Sequence, residues 1–111
     1  MAQFRRWFVG MCSGRVNCTF QWAAINRDSV VLVSASEGDQ DVRVLSSRRE
    51  PDRFSGAALI TVHNIAPFGE PHGEDPNNGV RFVITVDWDD DLPIWADIAL
   101  MDDVAGWITS R

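Results

Sequence analysis

Residues 79–88 read GVRFVITVDW, in which Val80, Phe82, Ile84, Val86 and Trp88 occupy every second position. A helix would scatter such residues around its axis, whereas an extended chain gathers them on one face and leaves Arg81, Val83, Thr85 and Asp87 on the other. The same period recurs. Residues 16–26 set Val16, Cys18, Phe20, Trp22 and Ala24 against Asn17, Thr19, Gln21 and Ala23. Residues 93–101 set Ile94, Ala96, Ile98 and Leu100 against Trp95, Asp97 and Ala99. Residues 29–35 contain the run VVLV, whose β-branched side chains suit a strand covered on both sides. With residues 4–12, 42–45, 57–65 and 104–109, the pattern predicts about seven or eight strands.

Short polar segments at residues 13–15, 26–28, 37–39 and 89–91 separate these strands and read as the turns of a hairpin meander. Two connections are longer: 46–56, rich in arginine, and 66–78, which holds Pro67, Pro71, Pro76, Gly69 and Gly73. A chain of 111 residues has the size of one domain and no room for a second core. The expectation is therefore a single all-β domain over residues 1–111. Its fold is an antiparallel β-sandwich, immunoglobulin-like or jelly-roll, with a small closed β-barrel as the alternative.

Composition excludes several chemistries. All ten basic residues are arginine, so no lysine exists for a Schiff base or a phosphate loop, and tyrosine is absent as an acid. The formal net charge of -6 opposes phosphate-backbone binding, so no nucleic-acid partner is expected. No apolar run has the length of a membrane helix, and residues 8–12 are too short for a signal-peptide core, giving the expectation of a soluble, cytoplasmic chain. Cys12 and Cys18 flank the first turn and would face each other across a three-residue loop centred on Arg15; in a reducing compartment they read as small buried hydrophobes.

Three groups of residues are candidates for chemistry. Asp87, Asp89, Asp90 and Asp91 read first as an acidic hairpin turn, because aspartate bonds nearby backbone N–H groups, and second as a calcium site supplied by loop oxygens. No EF-hand spacing supports the second, and no cofactor is expected apart from that calcium alternative. His72, in the long loop with Glu70, Glu74 and Asp75, and His63, beside Thr61, are the only histidines and so the only side chains for a histidine-dependent activity. Five tryptophans form the third group. Trp22 and Trp88 alternate with core residues. Trp7, Trp95 and Trp107 are harder to bury and, with His72 and Glu70, are candidates to stack on a carbohydrate or other small molecule or to anchor a protein.

Triads, closed metal sets and phosphate loops are all missing. A binding or interaction module is therefore expected ahead of a small β-barrel enzyme (isomerase, cyclase or hydrolase), with a self-associating subunit as the third class.

Overall fold

The computed structural model describes residues 3–38, 53–54, 58–71 and 73–101. The strands expected over 42–45 and 104–109, most of the 46–56 connection, His72 and Trp107 lie outside the described residues. Seven strands follow in chain order: β1 (Gln3–Cys12), β2 (Gly14–Gln21), β3 (Val30–Gly38), β4 (Arg53–Phe54), β5 (Leu59–Phe68), β6 (Gly79–Asp87) and β7 (Leu92–Met101). Six are long, and β4 is a two-residue rung beside the end of β3, against the seven or eight full strands expected. All pairing is antiparallel, in a first sheet ordered β1-β7-β3-β4 and a second ordered β2-β6-β5. Among the described residues neither sheet closes on itself, which removes the barrel alternative.

The hairpin meander is also corrected. Only β3–β4 and β5–β6 are sequential pairs; β1 to β2, β2 to β3, β4 to β5 and β6 to β7 all pass from one sheet to the other. Because β1 pairs with β7 and β2 with β6, the four strands form one long antiparallel ribbon that bends between the sheets. Cys12 opposite Leu92 is the last rung before the bend and Gly14 opposite Val86 the first after it. Bending a ribbon needs a longer path on one strand than on the other. Here Ser13 alone turns the corner on one strand, while residues 87–91 go round on the other. Gly14 takes φ +67 at this corner, a conformation in which a Cβ would be strained.

Alternation places the core as expected. Val80, Phe82, Ile84 and Val86 of β6 and Ile94, Ala96, Ile98 and Leu100 of β7 are buried in one cluster with Val31, Cys18, Trp22 and Ile25. Each large aliphatic side chain so buried stabilises the fold by about 1.5–3 kcal/mol, so the two central strands supply most of the driving force. Towards β1 and β2 the space between the sheets is filled by aromatics. Trp7 lies 5.4 Å from Phe20 and 6.2 Å from Phe82, Phe20 lies 6.3 Å from Trp22, and the Arg5 guanidinium covers Trp22 at 4.9 Å. Trp22 is core, as its position on the alternating face predicts, and Trp7 packs against the same core rather than standing clear for a ligand.

Cys12 and Cys18 do not form a hairpin pair, since their strands belong to different sheets. Both are buried free thiols. Burial raises both thiol pKa values, that of Cys18 to about 11, with smaller contributions from Asp91 at Cys12 and from Cys12 at Cys18.

Candidate functional site

The aspartate cluster is the outside of the ribbon bend. Residues 87–91 are all exposed, and the Trp88 N–H closes a tight turn onto the Val86 carbonyl at 3.0 Å. Asp91 accepts a 2.7 Å hydrogen bond from the Ser13 hydroxyl, so it fastens one side of the bend to the other. Among the described residues, no three histidine, cysteine, aspartate or glutamate side chains are grouped to hold a metal ion. Asp87, Asp89, Asp90 and Asp91 therefore do not converge on a shared cation position. Trp88 departs from expectation here: it is 44% exposed, because the strand ends at Asp87 and the chain turns away before Trp88 can follow Val86 inward.

The long loop is built to hold its place. β5 runs on to Phe68, leaving residues 69–78 as the connection. Asn78, nearly fully buried, donates its side-chain amide to the Glu70 carbonyl at 3.3 Å, and its own carbonyl accepts from the Trp22 N–H at 2.9 Å. The Arg27 N–H donates to Gly69 O at 3.0 Å and the Asp75 N–H to Ala23 O at 3.2 Å, docking this loop on the β2–β3 connection. The Glu70 carboxylate lies 3.4 Å from the Arg27 guanidinium, both side chains largely in solvent, where such a pair contributes little. His72 lies outside the described residues. His63 stands on the outer face of the second sheet with its Nε2 2.9 Å from Thr85 Oγ1. Glu70, at the far end of β5 beyond Phe68, is a loop residue tied to the β2–β3 connection rather than a neighbour of His63.

The two outer faces differ in kind. On the second sheet the strands set Arg15, Thr85 and Thr61 in one row, Asn17, Val83 and His63 in the next, and Thr19, Arg81 and Ala66 in a third. These rows are mostly polar, with the Arg81 guanidinium 4.2 Å above the Phe68 ring, while Leu59, 65% exposed, stands beside Asp87 at one end of the face. On the first sheet, Phe4, Ala99 and Leu32 form a row across β1, β7 and β3, with Phe4 55% and Leu32 58% exposed. Val30 and Met101 extend it on one side, and exposed Met11 stands beside Pro93 at the far end. Sequence alternation had marked Leu32 only as part of a buried run, so this row was missed; the signal was present in the equal apolarity of both faces of β3.

Between those ends lies an ordered centre. Arg6 Nε donates to Asp97 Oδ1 at 2.8 Å and its Nη2 to Oδ2 at 3.4 Å, with both side chains only 23% exposed and the guanidinium 5.2 Å from the Phe4 ring. Such two-pronged pairing fixes orientation as well as charge. The neighbouring row carries Phe8 and Trp95, with rings 4.9 Å apart. Trp95 is 1% exposed, which overturns its reading as an open stacking platform. Its alternation with Asp97 identified the face correctly but not how deeply that face is covered. Among the described residues no helix is long and apolar enough to cross a membrane. No family model, curated protein or solved structure matches this chain.

Proposed function

We propose that this chain is a protein-interaction module that docks a partner on the outer face of its first sheet. The observation that carries this reading is the row Phe4–Ala99–Leu32, which keeps two large apolar side chains more than half exposed beside the half-buried Arg6–Asp97 pair. Exposed apolar groups placed together around an oriented polar pair are the ingredients of an interface centre, and the acidic remainder of the surface discriminates against acidic competitors. Small-molecule sites are concave and bury most of their ligand, whereas a sheet face that carries its side chains outward suits the broad surface of a protein. The polar second sheet serves as the solvent side. Among the described strands, the pairing of β1 with β7 and of β2 with β6 supports a jelly-roll reading over an immunoglobulin one, in which the first strand lies beside the second.

Site-specific photocrosslinking in the source cell tests this reading. A photoreactive residue replacing Leu32 should give a discrete protein adduct, and the same residue replacing Thr61, exposed on the second sheet, should not. Equal labelling from both positions, or none from Leu32, overturns the proposal.

A further inference from the structure

Among the described residues the edge strands are β1 and the two-residue β4 in the first sheet, where β3 is open beyond that short rung, and β2 and β5 in the second; all but β2 are short or protected. β1 carries a bulge between Phe8 and Gly10, with Gly10 at φ +126, and points Arg5 inward over Trp22. β5 is broken by a bulge between His63 and Ala66, with Asn64 at φ +57, and contains Pro67. β3 is met by β4 at Glu37 and Gly38, and β5 packs close to it. Bulges, proline, inward charge and coverage are the devices by which sheet edges avoid pairing. Among the described residues β2 has none of them. It keeps unbroken register with β6 from Gly14 to Gln21, and among the described residues no strand pairs its other side.

We infer that a second copy of this chain pairs with the free edge of β2, antiparallel about a two-fold axis at Cys18, joining two three-stranded sheets into one of six strands. The sequence of β2 is self-complementary in that register. Asn17 falls opposite Thr19 of the second copy, Arg15 opposite Gln21, and Val16 opposite Phe20. Amide meets hydroxyl, the one charge in the strand meets an amide, and a β-branched residue meets an aromatic, the combinations that stabilise cross-strand pairs. In this register residues 15–21 are all paired and only Gly14 lies beyond the ladder. Although the chain is acidic overall, Arg15 is the only charge on β2, so the repulsion of two net charges of -6 is not concentrated at the contact. The axis runs perpendicular to the second sheet, so the outer faces of both first sheets point the same way. If those faces dock a partner as proposed above, the pair is bivalent and gains avidity without new contacts.

Light scattering during size-exclusion chromatography at about 100 µM, a concentration that populates even a micromolar dimer, provides the test. The wild type should elute with twice the 12.4 kDa chain mass. Replacing Asn17→Glu with Thr19→Glu places carboxylates opposite each other and should return the monomer. The Asn17→Lys/Thr19→Glu variant faces lysine with glutamate and should restore the dimer, while thermal melts confirm that both variants are folded. A monomeric wild type overturns the inference, as does a dimer that survives in the double-glutamate variant. A Phe4→Glu/Leu32→Glu variant should remain dimeric; if it becomes monomeric, the copies meet through the first sheet and the β2 edge is not the contact.

Discussion

Ser13 donates a 2.7 Å hydrogen bond to Asp91, and with it joins the two points at which the folded-over ribbon passes between sheets. Both groups are exposed, so the bond is made in competition with water, and a hydrogen bond of this kind contributes on the order of 1 kcal/mol. Ser13→Ala should lower the unfolding free energy by about that amount in urea titration, with an unchanged denaturant slope because the same surface is exposed on unfolding. Asp91→Asn keeps an oxygen in place to accept the bond and should cost less than Ser13→Ala.

The same geometry bears on cations. The carboxylates along the outside of the bend are exposed and, among the described residues, no three acidic side chains are grouped to hold an ion, while calcium needs six or more oxygens around one point. The melting temperature should therefore be the same in millimolar calcium and in excess chelator. A rise with calcium of several degrees would show that the aspartates gather around an ion after all.

Trp95 and Trp88 exchange the roles that alternation assigns them, one being 1% and the other 44% exposed. Removing a fully buried indole leaves a cavity and strips Phe8 of its ring partner, so Trp95→Ala should destabilise by about 3–5 kcal/mol. Trp88→Ala removes a ring that is nearly half exposed and should cost far less, about 1 kcal/mol. Both values can be read from chemical denaturation.

These two tryptophans also mark how far the sequence could be read. Period two identified β6 and β7 and the inward set from Val80 to Leu100, because a side chain's face follows from its parity alone. Parity says nothing about what a segment does when it ends. The run from Val86 to Ile94 has the same pattern whether its polar middle is a hairpin turn or a corner between sheets, so the ribbon bend was read as a hairpin and Trp88 was carried inward with Val86. Depth of burial was equally illegible for Trp95, which shares a face with half-buried Asp97. The connection read as 66–78 supplied candidate residues because it is long and polar; its hydrogen bonds to Ala23 and Trp22 join residues more than fifty positions apart, a pairing no local pattern encodes. The exposed row of Phe4 and Leu32 needed the strand order, since it joins residues of β1 and β3 through Ala99 of β7.

Gly69 offers a direct test of that loop's role. It holds φ +118, and a Cβ there would come within 2.0 Å of Asn78 Oδ1, on a side chain that is itself buried and bonded to Glu70. Gly69→Ala combines backbone strain with displacement of a satisfied buried amide, so the expected loss is roughly 2 kcal/mol or more. The companion change Gly73→Ala, at φ +92 with nothing within 4 Å of the added carbon, carries the strain alone and should cost less.

Alkaline pH should weaken the fold through its thiols. Cys18 has its pKa raised from 9.0 to about 11, chiefly because burial disfavours the thiolate, and Cys12 is raised for the same reason. A group whose folded pKa lies above its unfolded value holds its proton more tightly in the native state. The resulting stability is fully present below pH 9 and drains away as pH climbs towards 11. Thermal melts of the wild type should therefore fall over this window more steeply than those of a Cys18→Ala variant, compared as slopes because the substitution also removes packing. At pH 8 both thiols should resist a disulfide reagent in the native protein and react at once in denaturant, since the nucleophile is the thiolate and burial withholds both the charge and the access it requires. Rapid labelling of either cysteine without denaturant would mean that the sheets open at the ribbon bend far more readily than their packing implies.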